Sequence, residues 1–333
     1  TAREWCREHK PNVAKPKIVA PVSAHPAFVK SAHYLDMQID FTPLRDDWRA
    51  DPDAIEAAID DDTAIVVGSA ICYPYGVVDP IEEIAALADA LGILMHVDAC
   101  LGGFMLPFVS KLGYEVPIWD FRAKGVTSIS ADVHKYGYAA KGASTVSYRD
   151  AALRKHQFYA YPDWPGGLYV TPTMAGARPG GAVAAAWAVM HHLGEEGYVE
   201  LAKAAMDATN RIKAGIESIA GLRIMGEPHM SVFAFDSDEV NVFALGEKMD
   251  ERGWHLDRNQ FPSALHMMVT PAHADVTEQL LADLEAAMNE ARESPASSAE
   301  GMAALYGAAA AMPDRGAVSD FAIGFMDQLY TIS

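Results

Sequence analysis

Two short segments place an acid and an amine where they could take part in the same reaction. Asp98 ends an apolar segment at residues 93–97, and the pair His134 and Lys135 follows a second apolar segment at residues 126–131. Such segments are typical of neighbouring strands, and α/β enzymes bind ligands at the carboxyl ends of these strands. An amine forms a Schiff base with an aldehyde, and a carboxylate keeps a pyridine nitrogen protonated. The pattern therefore predicts a pyridoxal phosphate (PLP) enzyme in which Lys135 carries the cofactor and Asp98 holds its ring.

Strand and helix patterns alternate through the first half of the chain. Residues 63–70 and 93–98 are β-rich and almost continuously apolar, as expected for strands that are covered on both faces. At Asp51 and at Asp79, an aspartate followed by proline predicts an N-cap and a first helical turn, and Gly92 closes the second of these helices. A strand, a helix and a second strand in this order predict a right-handed crossover, and hence an α/β fold with a mostly parallel central sheet.

The second half of the chain has a different pattern. Residues 158–181 are rich in Pro, Gly and Tyr and form a loop that is long enough to suggest a functional or interface role. Beyond it, helices and short strands are grouped together, which favours a smaller α+β domain. We place the boundary so that residues 1–195 form a large PLP-binding domain and residues 196–333 a small C-terminal α+β domain. We expect the N-terminal part of the large domain to lie upstream of residue 1.

Composition and charge limit the classes of function. The chain has 333 residues, half of them apolar, which is enough for a large core. Its net charge of -19 repels nucleic acids and anionic membrane surfaces, so we expect no nucleic-acid partner. The three cysteines show neither a disulfide framework nor a metal-binding spacing, so we predict a cytoplasmic protein without a bound metal. Any membrane anchor would lie in the expected upstream segment.

Three blocks of the sequence carry a resemblance to a known family. Residues 131–137 are Ala-Asp-Val-His-Lys-Tyr-Gly with a further lysine at Lys141, residues 23–28 are Ser-Ala-His-Pro-Ala-Phe, and residues 301–307 are Gly-Met-Ala-Ala-Leu-Tyr-Gly, followed by Pro-Asp-Arg at 313–315. Together these blocks resemble the sphingosine-1-phosphate lyases, which are fold-type I PLP enzymes related to the group II amino acid decarboxylases. The resemblance runs along the whole chain and implies the fold-type I, PLP-dependent transferase-like architecture.

The resemblance also implies roles for residues outside the first pair. His25 would lie on the face of the cofactor ring, His134 would touch the cofactor and transfer a proton, and Lys141 would bind the substrate phosphate. Tyr73 would act from the loop after residues 63–70, and Arg178 would lie near the cofactor and a dimer interface. On the residues alone, a packed histidine, a packed tyrosine, a turn lysine and a loop arginine are the competing interpretations.

The reaction implied by the resemblance is the retro-aldol cleavage of a phosphorylated sphingoid base. The products are a long-chain aldehyde and phosphoethanolamine, and the active site would lie at the interface of a homodimer. One alternative is an amino acid decarboxylase of the glutamate or aromatic type, which would use the same Asp and Lys. Residues 131–134 and Lys141 favour the lyase, because a decarboxylase is expected to have Asn-Pro or Asp-Pro before the His-Lys pair.

A third interpretation is a non-catalytic fragment or scaffold with the same fold. Related enzymes carry a Gly-rich loop for the PLP phosphate upstream of the segment that matches residue 1, and the printed sequence has no equivalent. The absence of this loop from the printed sequence is the only support for the scaffold interpretation.

Overall fold

A computed structural model describes residues 1–293 and 312–331 of the chain. The sequence block at residues 301–307 lies outside the described residues. The chain separates into two compact units, of which unit 1 comprises Thr1–Thr209, Met225–Phe233 and Val269–Pro271. Unit 2 comprises Asn210–Ile224, Ala234–Met268 and Ala272–Ser333. The domain boundary between residues 195 and 196 stays a prediction.

Unit 1 is built around a six-stranded sheet. Its strands in chain order are β1 (Lys17–Pro21), β2 (Gln38–Thr42), β3 (Thr63–Ser69), β4 (Leu94–Asp98), β5 (Ser128–Ala131) and β6 (Thr145–Tyr148). The spatial order is β2-β1-β3-β4-β5-β6, and only the last pair is antiparallel. The predicted mostly parallel sheet is therefore confirmed, with β6 as an antiparallel edge strand.

The helices of unit 1 begin and end largely where the sequence signals lie. They are α1 (Ala2–His9), α2 (Ala27–Leu35), α3 (Pro52–Ala58), α4 (Ile81–Leu91), α5 (Leu106–Lys111), α6 (Ala151–Arg154) and most of α7 (Gly180–Ser218). Short 3-10 turns cover Gly102–Phe104 and Lys155–Gln157. Asp51 caps α3 by accepting the N–H of Asp53, and Gly92 ends α4 with a φ of 64°. Helix α7 is interrupted at Gly194, where φ is 58°.

The expected loop at residues 158–181 contains regular structure of its own. Strands β7 (Tyr159–Tyr161) and β8 (Tyr169–Thr171) form an antiparallel hairpin within it. The sequence pattern did not predict this hairpin, because each strand has three residues and almost all of them are exposed. Such strands lack the alternation of apolar and polar residues that identifies a half-buried strand.

The central strands of the sheet are buried on both faces. Val66 and Val67 of β3 and Met95 of β4 have no exposed surface. Helix α4 packs directly on β3 at Gly68, where an added Cβ would lie 2.7 Å from Cδ1 of Ile81. Full burial of a valine or methionine side chain stabilises the fold by about 1.5–3 kcal/mol. The strands that deliver the candidate site residues are therefore part of a tightly packed core.

The predicted role of Asp79 as a helix N-cap is wrong. Helix α4 begins without a side-chain cap, and the Asp79 carboxylate instead accepts the N–H of Ala50 at 2.8 Å and of Ser69 at 2.7 Å. Burial raises the pKa of Asp79 to about 6, although these two N–H donors and Arg49 oppose the shift. The carboxylate therefore joins the end of β3 to the segment before α3, a contact across the fold that an Asp-Pro pattern does not reveal.

Unit 2 contains a four-stranded sheet flanked by helices. The strands of this sheet are β9 (Leu222–Ile224), β10 (Val232–Ser237), β11 (Asp257–Gln260) and β12 (Ser263–Met268), in the order β11-β12-β10-β9. The first two residues of β10 belong to unit 1. The helices are α8 (Val242–Glu251), α9 (Thr277–Glu293) and α10 (Arg315–Tyr330), with a 3-10 turn at Pro271–His273 just before α9. Among the helices of the described ranges, none combines the length and the apolar character needed to cross a bilayer.

Asp79 gives a test of this structure through its pH dependence. Its folded-state pKa of about 6 lies above the value of about 3.9 expected in the unfolded chain. The Asp79 carboxyl group therefore binds its proton more tightly in the folded state than in the unfolded chain. The stabilisation that this proton gives is fully present below pH ~4 and is lost as the pH rises through ~6. Relative to Asp79→Asn, which does not titrate, the wild type should lose roughly 3 kcal/mol or less of unfolding free energy between pH ~4 and ~7.

Urea unfolding at several pH values measures this difference. The control is Asp61→Asn, because Asp61 is exposed and should not alter the pH slope. A difference between wild type and Asp79→Asn that does not change with pH would contradict the buried-carboxylate account.

Candidate active site

Two backbone hydrogen bonds join the carboxyl ends of β4 and β5. The N–H of Ala99 donates to the carbonyl of Ser130 at 3.0 Å, and the N–H of Asp132 donates to the carbonyl of Cys100 at 3.3 Å. In the strand register Asp98 lies opposite Ser130. The loops that follow the two strands therefore leave the sheet side by side.

Asp98 lies in a polar network centred on Ser130. The Ser130 hydroxyl donates to Oδ1 of Asp98 at 3.2 Å, and the N–H of Cys100 donates to the same oxygen at 3.1 Å. His96 bonds the hydroxyls of Ser128 and Ser130 through its two ring nitrogens. Burial lowers the pKa of His96 against the attraction of Asp98, so this ring is a neutral, packed group. Both of these hydrogen bonds fall on Oδ1, and the Cys100 thiol also bonds the Asp98 carboxylate. Because a carboxylate can accept several hydrogen bonds, Asp98 can still accept a ring N–H.

Lys135 is held by an ion pair with Asp132. Its Nζ lies 3.0 Å from Oδ2 of Asp132, while the Ser144 hydroxyl donates a short hydrogen bond to Oδ1. Burial raises the pKa of Asp132, but the hydrogen bonds from Ser144 and Lys135 outweigh it and hold that pKa below its usual value. Asp132 is therefore an anion at neutral pH. The Lys135 side chain is 31% exposed, so a ligand can reach the amine.

The sequence-based site prediction omits Asp132. The residue lies three positions before Lys135, and the chain turns there, with the N–H of Lys135 donating to the carbonyl of Asp132 at 3.3 Å. This turn brings the two side chains together. The spacing was visible in the sequence, but the same spacing in an extended loop would separate them, so only the backbone conformation reveals the pair.

The residues after Lys135 anchor the loop. The Tyr136 phenol accepts the Ser231 hydroxyl at 2.8 Å, and the Tyr198 phenol donates to the carbonyl of Gly137 at 2.8 Å. At Gly137 an added Cβ would lie 2.5 Å from the carbonyl oxygen of Val133, so the turn admits only glycine there without a backbone shift. The Tyr-Gly that follows Lys135 therefore fixes the loop that presents the amine.

His134 has a defined tautomer and lies next to the same carboxylate. Its Nδ1 is 2.9 Å from the carbonyl of Ala143, and because a carbonyl only accepts, Nδ1 carries a proton. In the neutral ring Nε2 therefore holds the lone pair, and Nε2 lies 3.8 Å from Oδ2 of Asp132. Lys141 is exposed on the same loop, and within the described part of the chain it forms no ion pair. Its ammonium is thus available to an anion.

His25 and Tyr73 come from the strands on the other side of β4. His25 follows β1, is exposed, and accepts the N–H of Ala27 on Nδ1 at 3.1 Å. The helix after it places Phe28 edge-on to His96, with ring centroids 5.9 Å apart, so this segment lies over β4. Tyr73 is half-buried in the loop after β3. Both residues therefore leave the sheet at the same edge as Asp98.

Arg178 lies in the segment before α7. It is exposed and lines an open groove of about 720 Å³ together with Val183 and Trp187. The structure thus brings Asp132, His134 and Lys135 into one cluster and places Asp98 at the end of the neighbouring strand β4.

The chemistry of this edge of the sheet fits PLP. The fit rests on an accessible amine at Lys135, a carboxylate at Asp98 that can accept a further hydrogen bond, and a lysine at Lys141 that forms no ion pair with any described residue. These are the groups that an aldehyde, a protonated pyridine nitrogen and a phosphate require.

Comparison with known proteins gives the family. The model described as the pyridoxal-dependent decarboxylase conserved domain matches residues 3–237. Sphingosine-1-phosphate lyases of Arabidopsis thaliana and Oryza sativa subsp. japonica are 45% and 46% identical to this chain over 330 and 327 residues. These alignments cover 99% and 98% of this chain, which spans about 60% of the length of these curated relatives.

Solved structures agree with this assignment. A sphingosine-1-phosphate lyase of Burkholderia pseudomallei matches with a TM-score of 0.90 and 38% identity, over 100% of this chain and 71% of the other. A Lactobacillus brevis glutamate decarboxylase, at 21% identity and a TM-score of 0.74 over 88% of this chain and 70% of the other, shows the fold alone. The predicted fold type I, the PLP cofactor and the resemblance to the lyases are confirmed. This chain belongs to the pyridoxal-dependent decarboxylase family.

Proposed function

We propose that this chain provides the catalytic core of a PLP-dependent aldehyde-lyase. Its substrate would be a phosphorylated sphingoid base, cleaved between C2 and C3 to a long-chain aldehyde and phosphoethanolamine. The observation that supports this most is the cluster of Asp132, His134 and Lys135 beside Asp98, in a chain similar to sphingosine-1-phosphate lyases over nearly its full length. Lys141, which lies on the same loop and forms no ion pair within the described ranges, suits a substrate with a phosphate.

We assign Lys135, Asp98 and His25 to the cofactor. The amine of Lys135 would attach it, the carboxylate of Asp98 would accept a hydrogen bond from its protonated ring nitrogen, and the His25 ring would lie against its face. When bound, PLP supplies an electron sink for the pair released by the broken carbon–carbon bond. Asp132 would hold the Lys135 ammonium whenever the amine is free, because their ion pair is already formed at 3.0 Å.

We assign proton transfer to His134. With Nδ1 bonded to the carbonyl of Ala143, Nε2 is the atom that can take the proton of the substrate C3 hydroxyl. The Asp132 carboxylate, 3.8 Å from Nε2, would stabilise the imidazolium that forms. The same Nε2 could return the proton to the remaining carbon after the aldehyde leaves. Tyr73, on the loop after β3, is a second candidate for this proton transfer.

A homodimer is part of the proposal. Large apolar side chains are exposed on the segment that carries Arg178 and on the start of α7, and they include Trp164, Leu168, Met174, Val183 and Trp187. Soluble monomers rarely expose so much apolar surface over a short stretch of chain. A second copy of the chain would cover these side chains, and Arg178 would then lie at the subunit interface.

Asp98→Ala tests the assignment of the ring partner. Without the carboxylate, the pyridine nitrogen loses the partner that keeps it protonated, while the Lys135 amine is unchanged. PLP binding, measured by the visible absorbance of the purified protein, should therefore persist, and turnover should fall about 100-fold or more. The control Asp61→Ala should keep both properties. Near-normal turnover in Asp98→Ala would show that another residue holds the ring nitrogen.

Lys141→Ala tests the choice of substrate. Loss of a cation that pairs with the substrate phosphate should reduce aldehyde release from a phosphorylated sphingoid base by about 100-fold or more. Lys141→Arg should retain part of the activity because it keeps the charge, and Lys203→Ala should match the wild type. The visible absorbance of bound PLP should be the same in all four proteins.

Product analysis of the wild type separates the lyase from the decarboxylase. We expect aldehyde from the phosphorylated base and no carbon dioxide from glutamate or aromatic amino acids. Carbon dioxide without aldehyde would establish the decarboxylase alternative instead.

A further inference from the structure

A second cluster of possible ligands lies away from the residues assigned above, between the end of α1 and the 3-10 turn Lys155–Gln157. One ligand atom each of Glu8, His9 and His156 lies within 4.8 Å of the other two. Nδ1 of His156 is 3.7 Å from Oε2 of Glu8, beyond hydrogen-bonding distance, and the two imidazole rings meet edge to face with centroids 6.0 Å apart. Three metal-ligating side chains therefore converge on one small volume.

We propose that Glu8, His9 and His156 bind a divalent transition-metal ion of the zinc type. Two imidazole nitrogens and one carboxylate oxygen form a ligand set that Zn²⁺ accepts, with water in a fourth position. In a tetrahedral site the ligand atoms are about 3.3 Å apart, given metal–ligand bonds of about 2.0–2.1 Å. Metal binding therefore requires the three ligand atoms to move closer together, and Glu8 and His9 lie on the exposed side of the cluster.

One of the two histidines has a defined tautomer, and the other is buried. Nδ1 of His9 lies 2.9 Å from the carbonyl of Trp5, so Nδ1 is protonated and Nε2 carries the lone pair. The His9 ring also stacks on the Trp5 indole at a centroid distance of 4.8 Å. His156 is held by burial, with only 7% of its side chain exposed. A backbone carbonyl that fixes the second ring nitrogen is a common support for metal-binding histidines.

Lys155 is the competitor for this site. Its Nζ lies 3.0 Å from Oε1 of Glu8. A metal ion must therefore share the Glu8 carboxylate with Lys155 or displace the lysine from it. Removing the lysine should therefore strengthen metal binding, which an unrelated surface site would not show. A bound ion would also link two segments that are 147 residues apart in the chain, and so stabilise the folded state.

Zn²⁺ titration of the purified chain in competition with a chromophoric chelator tests the proposal. We expect one site per chain, with affinity at least about tenfold weaker in Glu8→Gln and in His9→Ala. Both residues are exposed, so these variants should fold normally. His33→Ala removes an exposed histidine outside the cluster and should bind as the wild type does. Equal Zn²⁺ affinity in all four proteins would overturn the proposal.

Two further variants test the geometry. Lys155→Ala should bind Zn²⁺ more tightly than the wild type, and weaker binding would contradict the role of Glu8 as a ligand. One equivalent of Cu²⁺ should quench tryptophan fluorescence in the wild type, because Trp5 stacks on His9. This quenching should be much smaller in Trp5→Phe. Equal quenching in the two proteins would place the bound ion elsewhere.

Discussion

The parallel pairing of β4 with β5 is the constraint on which the candidate active site depends. Because the strands run in the same direction, both loops leave the sheet at one edge, and two backbone hydrogen bonds join them there. Strand β3 also runs parallel to β4, with Ser69 opposite Asp98, so the loop after β3 leaves the sheet at the same edge. The N–H of Ser69 donates to the carboxylate of Asp79. A one-residue change in this register would turn Asp98 to the opposite face of the sheet and away from the Lys135 loop.

The candidate site carries a local group of cations, although the protein as a whole is strongly acidic. The chain as a whole carries a net charge of -19, yet Lys135 and Lys141 lie a few residues apart on one loop, next to His134. Asp132 balances Lys135 through their ion pair, which leaves Lys141 to meet an anionic ligand. The field of the whole chain would repel a phosphorylated substrate, so such a local group of cations is needed for binding.

The sequence was sufficient for the features that depend on local patterns. Helix α4 covers the residues predicted from its apolar stripe and from Gly92, and the parallel sheet follows from the strand, helix and strand order. Features that depend on contacts across the fold were missed or wrong. Asp79 has the same local sequence pattern as the true N-cap Asp51, but its carboxylate is drawn into the core by two distant N–H groups.

In the candidate site, too, local sequence patterns predicted some residues and not others. Asp98 and Lys135 follow from strand ends, whereas His25, Tyr73, Lys141 and Arg178 came from a family resemblance, and their roles stay predictions. Asp132 needed the backbone turn before Lys135 to be known.

Borohydride reduction of the PLP-containing protein, followed by peptide mapping, tests the central claim most directly. Reduction fixes the cofactor on the amine that holds it. The account predicts one pyridoxyl group per chain, on Lys135, with loss of the visible absorbance. An adduct on Lys141 or another lysine, or no adduct with PLP present, would contradict the placement of the cofactor at the joined ends of β4 and β5.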